Sequence, residues 1–107
     1  MSEFQKIYNN NNEDNSGKLE GDITIYDSPI ENYQTASINV AYDLGGSSAQ
    51  FWRKDENSDW NYFMGVQNTL SCDMYNTDDI KRAFAGDQCW DEENKVNTYV
   101  RYYYDLF

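Results

Sequence analysis

A chain of 107 residues falls in the size range of one domain, and its ten Tyr, five Phe and three Trp exclude a disordered acidic polymer. Nineteen acids against eight bases leave a net charge of −11, carried by both halves of the sequence. That charge opposes contact with a phosphate backbone and favours a basic protein partner.

Met1 to Lys6 holds no apolar run of signal-peptide type, so a chain that starts natively at Met1 is expected in the cytoplasm. Phe4, Ile7 and Tyr8 stand at i, i+3 and i+4, a spacing that docks one helical turn. The Asn-rich stretch that follows has no apolar periodicity, which sets residues 1–18 apart as a flexible segment and 19–107 as a single globular domain. Ile23-Thr24-Ile25-Tyr26 reads as a short strand stopped by Asp27-Ser28-Pro29. Ala36, Ile38, Val40 and Tyr42 alternate with smaller or polar residues to give a second strand. Gly45-Gly46-Ser47-Ser48 turns the chain into a third over 49–54, with Phe51 on one face and Trp52 on the other. After the polar turn 55–59, Trp60, Tyr62, Met64 and Val66 alternate with Asn61, Phe63 and Gly65 as a fourth.

Thr77 then supplies an N-cap, and Asp78 and Asp79 suit the positive end of a helix dipole. Ile80, Ala83 and Phe84 give the apolar face, and Gly86 stands where a C′ stop belongs. Asp91-Glu92-Glu93-Asn94 reads as a turn, and Val96 to Tyr104 alternate as a last strand with large side chains on both faces. The pattern predicts an α+β fold: a meander-like antiparallel sheet of about five strands with one short helix near residues 77–85. No apolar run approaches the roughly 20 residues of a membrane span.

The chain has no histidine, which removes imidazole acid–base catalysis, Ser-His-Asp and Cys-His nucleophiles, and His metal ligands together. Gly45-Gly46 is too short for a phosphate-binding loop, and no dinucleotide fingerprint is present. An EF-hand frame with Gly17 at its sixth position places Ile23 where a bidentate Glu is required. No cofactor, metal or enzymatic activity is expected, since with 19 acids any catalytic carboxylate pair chosen by eye is arbitrary. Cys72 and Cys89 match no zinc spacing and are either two reduced thiols or one disulfide. A disulfide requires an oxidising compartment, so the missing export signal favours thiols.

Three acidic groups remain: Asp55, Glu56 and Asp59; Asp73, Asp78 and Asp79; Asp87, Asp91, Glu92 and Glu93. Trp60, Tyr75 and Trp90 stand beside them in sequence. On one shared face these residues would form a negative surface with aromatic anchors, suited to a basic protein. The expected function is a small cytoplasmic inhibitor or immunity-type protein, of antitoxin or anti-CRISPR kind, that blocks a nuclease, toxin or CRISPR effector without touching nucleic acid itself. The alternative is an extracellular structural or adhesive domain closed by Cys72–Cys89. From Cys72 to its end the chain loosely resembles type IV pilin-like proteins, in which a sheet is followed by a cysteine-closed loop. The apolar N-terminal helix that defines those proteins is missing from this sequence.

Overall fold

Ala36, Ile38 and Val40 on one strand and Ala49 and Phe51 on the next are buried together, because residues two apart point to the same side of a sheet. The computed structural model describes residues 3–11, 18–30, 32–42, 45–66 and 68–106. Four strands, β1 (Lys18–Asp27), β2 (Gln34–Tyr42), β3 (Gly45–Arg53) and β4 (Asn61–Val66), form an antiparallel sheet in the order β1-β2-β3-β4. This is the expected meander. Helix α1 (Glu3–Asn11) covers the face carrying Phe51. The single turn foreseen from Phe4, Ile7 and Tyr8 is therefore a nine-residue helix. Phe4 stacks edge-on against Phe51 with ring centroids 5.0 Å apart, and Tyr8 meets Tyr62 at 5.6 Å. Residues 12–17, the rest of the Asn-rich stretch, lie outside the described residues.

β4 departs from simple alternation. Gln50 lies opposite Met64 while Phe51 lies opposite Tyr62, so a bulge falls at Phe63. Tyr62 packs with the α1 layer and Phe63 with the second core. The face expected to hold Tyr62 and Met64 in one row is broken there, as bulges re-aim side chains.

The second core covers the other face of the sheet. It is built from a 3-10 turn (Cys72–Met74), helix α2 (Asp78–Ala83), the hairpin β5 (Gln88–Asp91) and β6 (Val96–Tyr99), and helix α3 (Val100–Tyr103). α2 lies where expected, and Thr77 Oγ1 accepts from the Ile80 N–H at 3.2 Å. Gly86 has no left-handed backbone; its missing Cβ instead makes room for Pro29, whose Cδ would lie 3.2 Å from one.

The last strand is shorter than expected. β6 stops at Tyr99, and Val100 to Tyr103 turn helical. β5 has only four residues, so beyond the pair Gln88–Tyr99 no partner strand continues. The chain instead bonds to the turn that follows α2: Val100 N–H donates to Asp87 O at 3.0 Å and Arg101 N–H to Ala85 O at 3.1 Å. The strand count is thus four plus a separate pair, in place of one sheet of about five.

Candidate functional site

Cys72 and Cys89 form a disulfide, with Cα atoms 4.9 Å apart and both side chains fully buried. The expectation of reduced thiols is corrected. The 3-10 turn and β5 bring the two residues together because Trp90 N–H donates to Leu70 O at 2.8 Å, aligning 70–71 beside β5. Tyr75, Ala83, Phe84 and Val100 pack around the bridge, and the Tyr104 hydroxyl donates to Cys72 O at 2.5 Å. The bridge closes a loop that contains α2.

Between this lobe and the sheet lies an open cleft of about 640 Å³. Phe63, Tyr75 and Phe84 form its apolar side; Gln50, Asn68 and Gln88 supply polar atoms. Asp87 is the only acid among the described residues that line it. The residue itself stays open to water at the mouth, yet the surrounding protein desolvates its carboxylate and pushes its pKa up to about 6. Burial, then the Asp87 charge, pushes the Tyr75 hydroxyl pKa up. Among the described residues no cation or hydrogen-bond donor is set against the Asp87 carboxylate.

The other candidate residues separate into two places. Asp79 accepts from the Tyr33 hydroxyl at 2.8 Å and pairs with Lys54 at 3.6 Å, which ties the start of α2 to the end of β3. Burial and that hydrogen bond raise the Tyr33 pKa to about 12. A second pocket of about 440 Å³ adjoins Tyr33 and is lined by Asp27, Asp55 and Glu56. Asp55 also organises its own turn, accepting from Asn57 N–H at 2.7 Å and from Ser58 Oγ at 3.2 Å. Asp59 is exposed on the same turn, and Asp78 pairs with Arg82 one helical turn along at 3.0 Å.

The second place is the β5–β6 turn. Asp91 is buried and accepts from Glu93 N–H at 3.0 Å, Asn94 N–H at 3.1 Å and Asn94 Nδ2 at 2.8 Å. The Asn94 side chain foremost, then the backbone donors, hold its carboxyl below the usual range. Its role is to shape the turn. Nearby, Asp73 accepts from the Tyr103 hydroxyl at 3.0 Å, which raises that pKa to about 12. Glu92 and Glu93 are exposed.

The aromatics are placed differently from the expected anchors. Trp60 is buried against Phe4, centroids 5.2 Å apart, with the Arg53 guanidinium 4.3 Å over its ring. Tyr75 is buried between Phe63 and Phe84. Only Trp90, half-buried on β5, keeps surface. Burial makes Trp60 and Tyr75 core residues in this fold, and Tyr75 meets an acid only at the cleft, where it lines the wall with Asp87. Gln50 and Phe63 escape sequence inspection because each reads as an ordinary strand residue; only the bulge and the lobe make them cleft walls.

Among the described residues no group of His, Cys, Asp or Glu is arranged to hold a metal ion, and no helix is long and apolar enough to cross a membrane. No family model, curated protein or solved structure matches the chain.

Proposed function

We propose that this chain is a non-enzymatic binding domain that works outside the reducing cytoplasm, as a surface-exposed structural or adhesive module closed by Cys72–Cys89. The disulfide carries this reading. It is buried at the centre of the second core and joins the two segments between which α2 is held, and such bridges persist only where thiols are not kept reduced. The loose pilin-like resemblance from Cys72 onward points the same way. Acidic charge then keeps the domain soluble and selects basic partners. Among the described residues that line the cleft, Asp87 is the one carboxylate, whereas a glycosidase-type hydrolase works with a pair.

The test is labelling of intact host cells with a membrane-impermeant amine reagent, followed by recovery of the protein. Modified lysines support an extracytoplasmic position. Labelling only after lysis sinks it.

The net charge of −11 supports a second reading, an inhibitor or immunity-type protein that covers a basic nucleic-acid-handling partner. Its weak point is the separation of the acids and the burial of Trp60 and Tyr75. Low-salt capture from host lysate with salt elution tests it; a basic nuclease or effector released by salt is the supporting result, and its absence removes the idea.

A further inference from the structure

β1 is an edge strand, and its middle is bare. Residues 20–27 are all exposed, Ile23 by 47%, Ile25 by 51% and Tyr26 by 56%. Ile23 and Ile25 lie beside Ile38 and Ala36, on the face that α1 covers further in. They extend the apolar floor past the cover. Both ends of the strand are tied down: Leu19 N–H donates to Gln5 Oε1 at 3.2 Å, and beyond the other end Ser28 N–H donates to Tyr33 O at 2.9 Å. A bulge at Gly21, with φ +88°, interrupts pairing before Ile23. Between these limits, Ile23 to Asp27 pair only with β2, and among the described residues nothing bonds their outward backbone groups. That leaves an edge about 17 Å long.

Charge selects the occupant. Asp27 ends the edge on the same face as Ile23 and Ile25, since residues two apart share a side. It lines the 440 Å³ pocket with Asp55 and Glu56. Those three carboxylates are not gathered closely enough to form a metal site. A second copy fits poorly. A symmetric antiparallel pair centred on Ile25 sets Ile23 against Asp27 and brings two bodies of charge −11 together. The Arg53 guanidinium donates to Gln34 Oε1 and the Glu56 carbonyl, and Asp27 accepts from the neutral Gln34 Nε2 at 2.8 Å, so no cation pairs with the Asp27 carboxylate among the described residues. An antiparallel strand with a cation opposite Asp27 and apolar side chains opposite Ile25 and Ile23 matches that charge and that apolar floor.

We propose that the β1 edge takes an extended segment of a basic partner protein, read from its N-terminal side as Lys or Arg, any residue, apolar, any residue, apolar. The cation sits in the pocket of Asp27, Asp55 and Glu56, and the apolar residues cover Ile25 and Ile23. This goes beyond the compartment argued above and is independent of it, because β1 belongs to the four-stranded sheet and the disulfide to the other lobe.

The experiment is a titration of the isotope-labelled full chain with the peptide acetyl-Ser-Lys-Thr-Val-Thr-Val-Ser-amide at low salt. Amide shifts and slowed hydrogen exchange are expected over Ile23–Asp27, weakening with added salt. Replacing the peptide's Lys by Glu is expected to weaken binding about tenfold, equivalent to 1.4 kcal/mol. An Asp27→Lys protein, checked for an unchanged amide spectrum elsewhere, is expected to reverse that preference. No response at Ile23–Asp27, or equal response to both peptides, overturns the proposal. So does a dimer in sedimentation that Ile25→Lys dissolves, since the edge would then belong to a second copy.

Discussion

Replacing Cys72 and Cys89 together by Ala removes the one covalent constraint on the second lobe. The two residues are 17 apart in sequence, and freeing a loop of that size in the unfolded state lowers stability by about 3 kcal/mol. At an unfolding entropy of about 0.22 kcal/mol/K for a chain of 107 residues, this corresponds to a fall in Tm of roughly 13 °C. Both side chains are buried among Tyr75, Phe84 and Val100, so the lost sulfur contacts add to the fall. The sheet has its own core under α1 and is expected to retain protection while α2 and β5 amides exchange faster. Thermal melting by circular dichroism, oxidised parent against the double variant, gives the magnitude, and hydrogen exchange gives the location. A fall under about 4 °C, equivalent to less than 1 kcal/mol, would refute the idea that the bridge organises this lobe.

Asp87 carries a pH signature of opposite sign to an ordinary paired carboxylate. Its folded pKa is raised from 3.8 to about 6, so stability is highest where it is protonated in both states and falls as pH rises from 3.8 through 6. The full shift would correspond to at most about 3 kcal/mol, which its solvent contact reduces to about 1 kcal/mol. Asp87→Asn is therefore expected to stabilise at neutral pH and not at pH 3. A parent-minus-variant difference in denaturant midpoint that stays constant with pH contradicts the desolvation assigned to that carboxylate. Phe4→Ala removes the α1 ring that meets both Phe51 and Trp60 and is expected to cost about 3 kcal/mol. A nine-residue helix is marginal without docking, so its amides should lose exchange protection together; retained protection at Tyr8 would show that Phe4 does not anchor it.

Local signals made the first sheet and α2 legible. The alternation of Ala36, Ile38 and Val40 needs only a two-residue period, and Thr77 with Asp78 and Asp79 announces a helix start by itself. β5 and the end of β6 were not legible, because their lengths are set by contacts between distant segments. Val96 to Tyr104 alternate as a strand would, yet four-residue β5 gives them nothing to pair with past Tyr99, and the Asp87 and Ala85 carbonyls draw the chain into α3. The disulfide was one of two options from spacing alone; bringing Cys72 to Cys89 takes the alignment of 70–71 with Trp90, which no sequence period encodes. The placement of the acids and their neighbouring aromatics was not legible for a similar reason. Composition counts charges and aromatics, but Trp60 and Tyr75 are claimed by the cores, and Asp91 is claimed by its own turn.

The state of Cys72 and Cys89 in the host tests the central claim most directly. Cells are lysed under denaturing conditions with a thiol-blocking alkylating reagent already present, and the intact protein is weighed by mass spectrometry. A mass with neither cysteine alkylated until reductant is added is the expected result and places the domain outside the reducing cytoplasm. Two alkyl groups added without reductant would show free thiols in the cell and contradict the account.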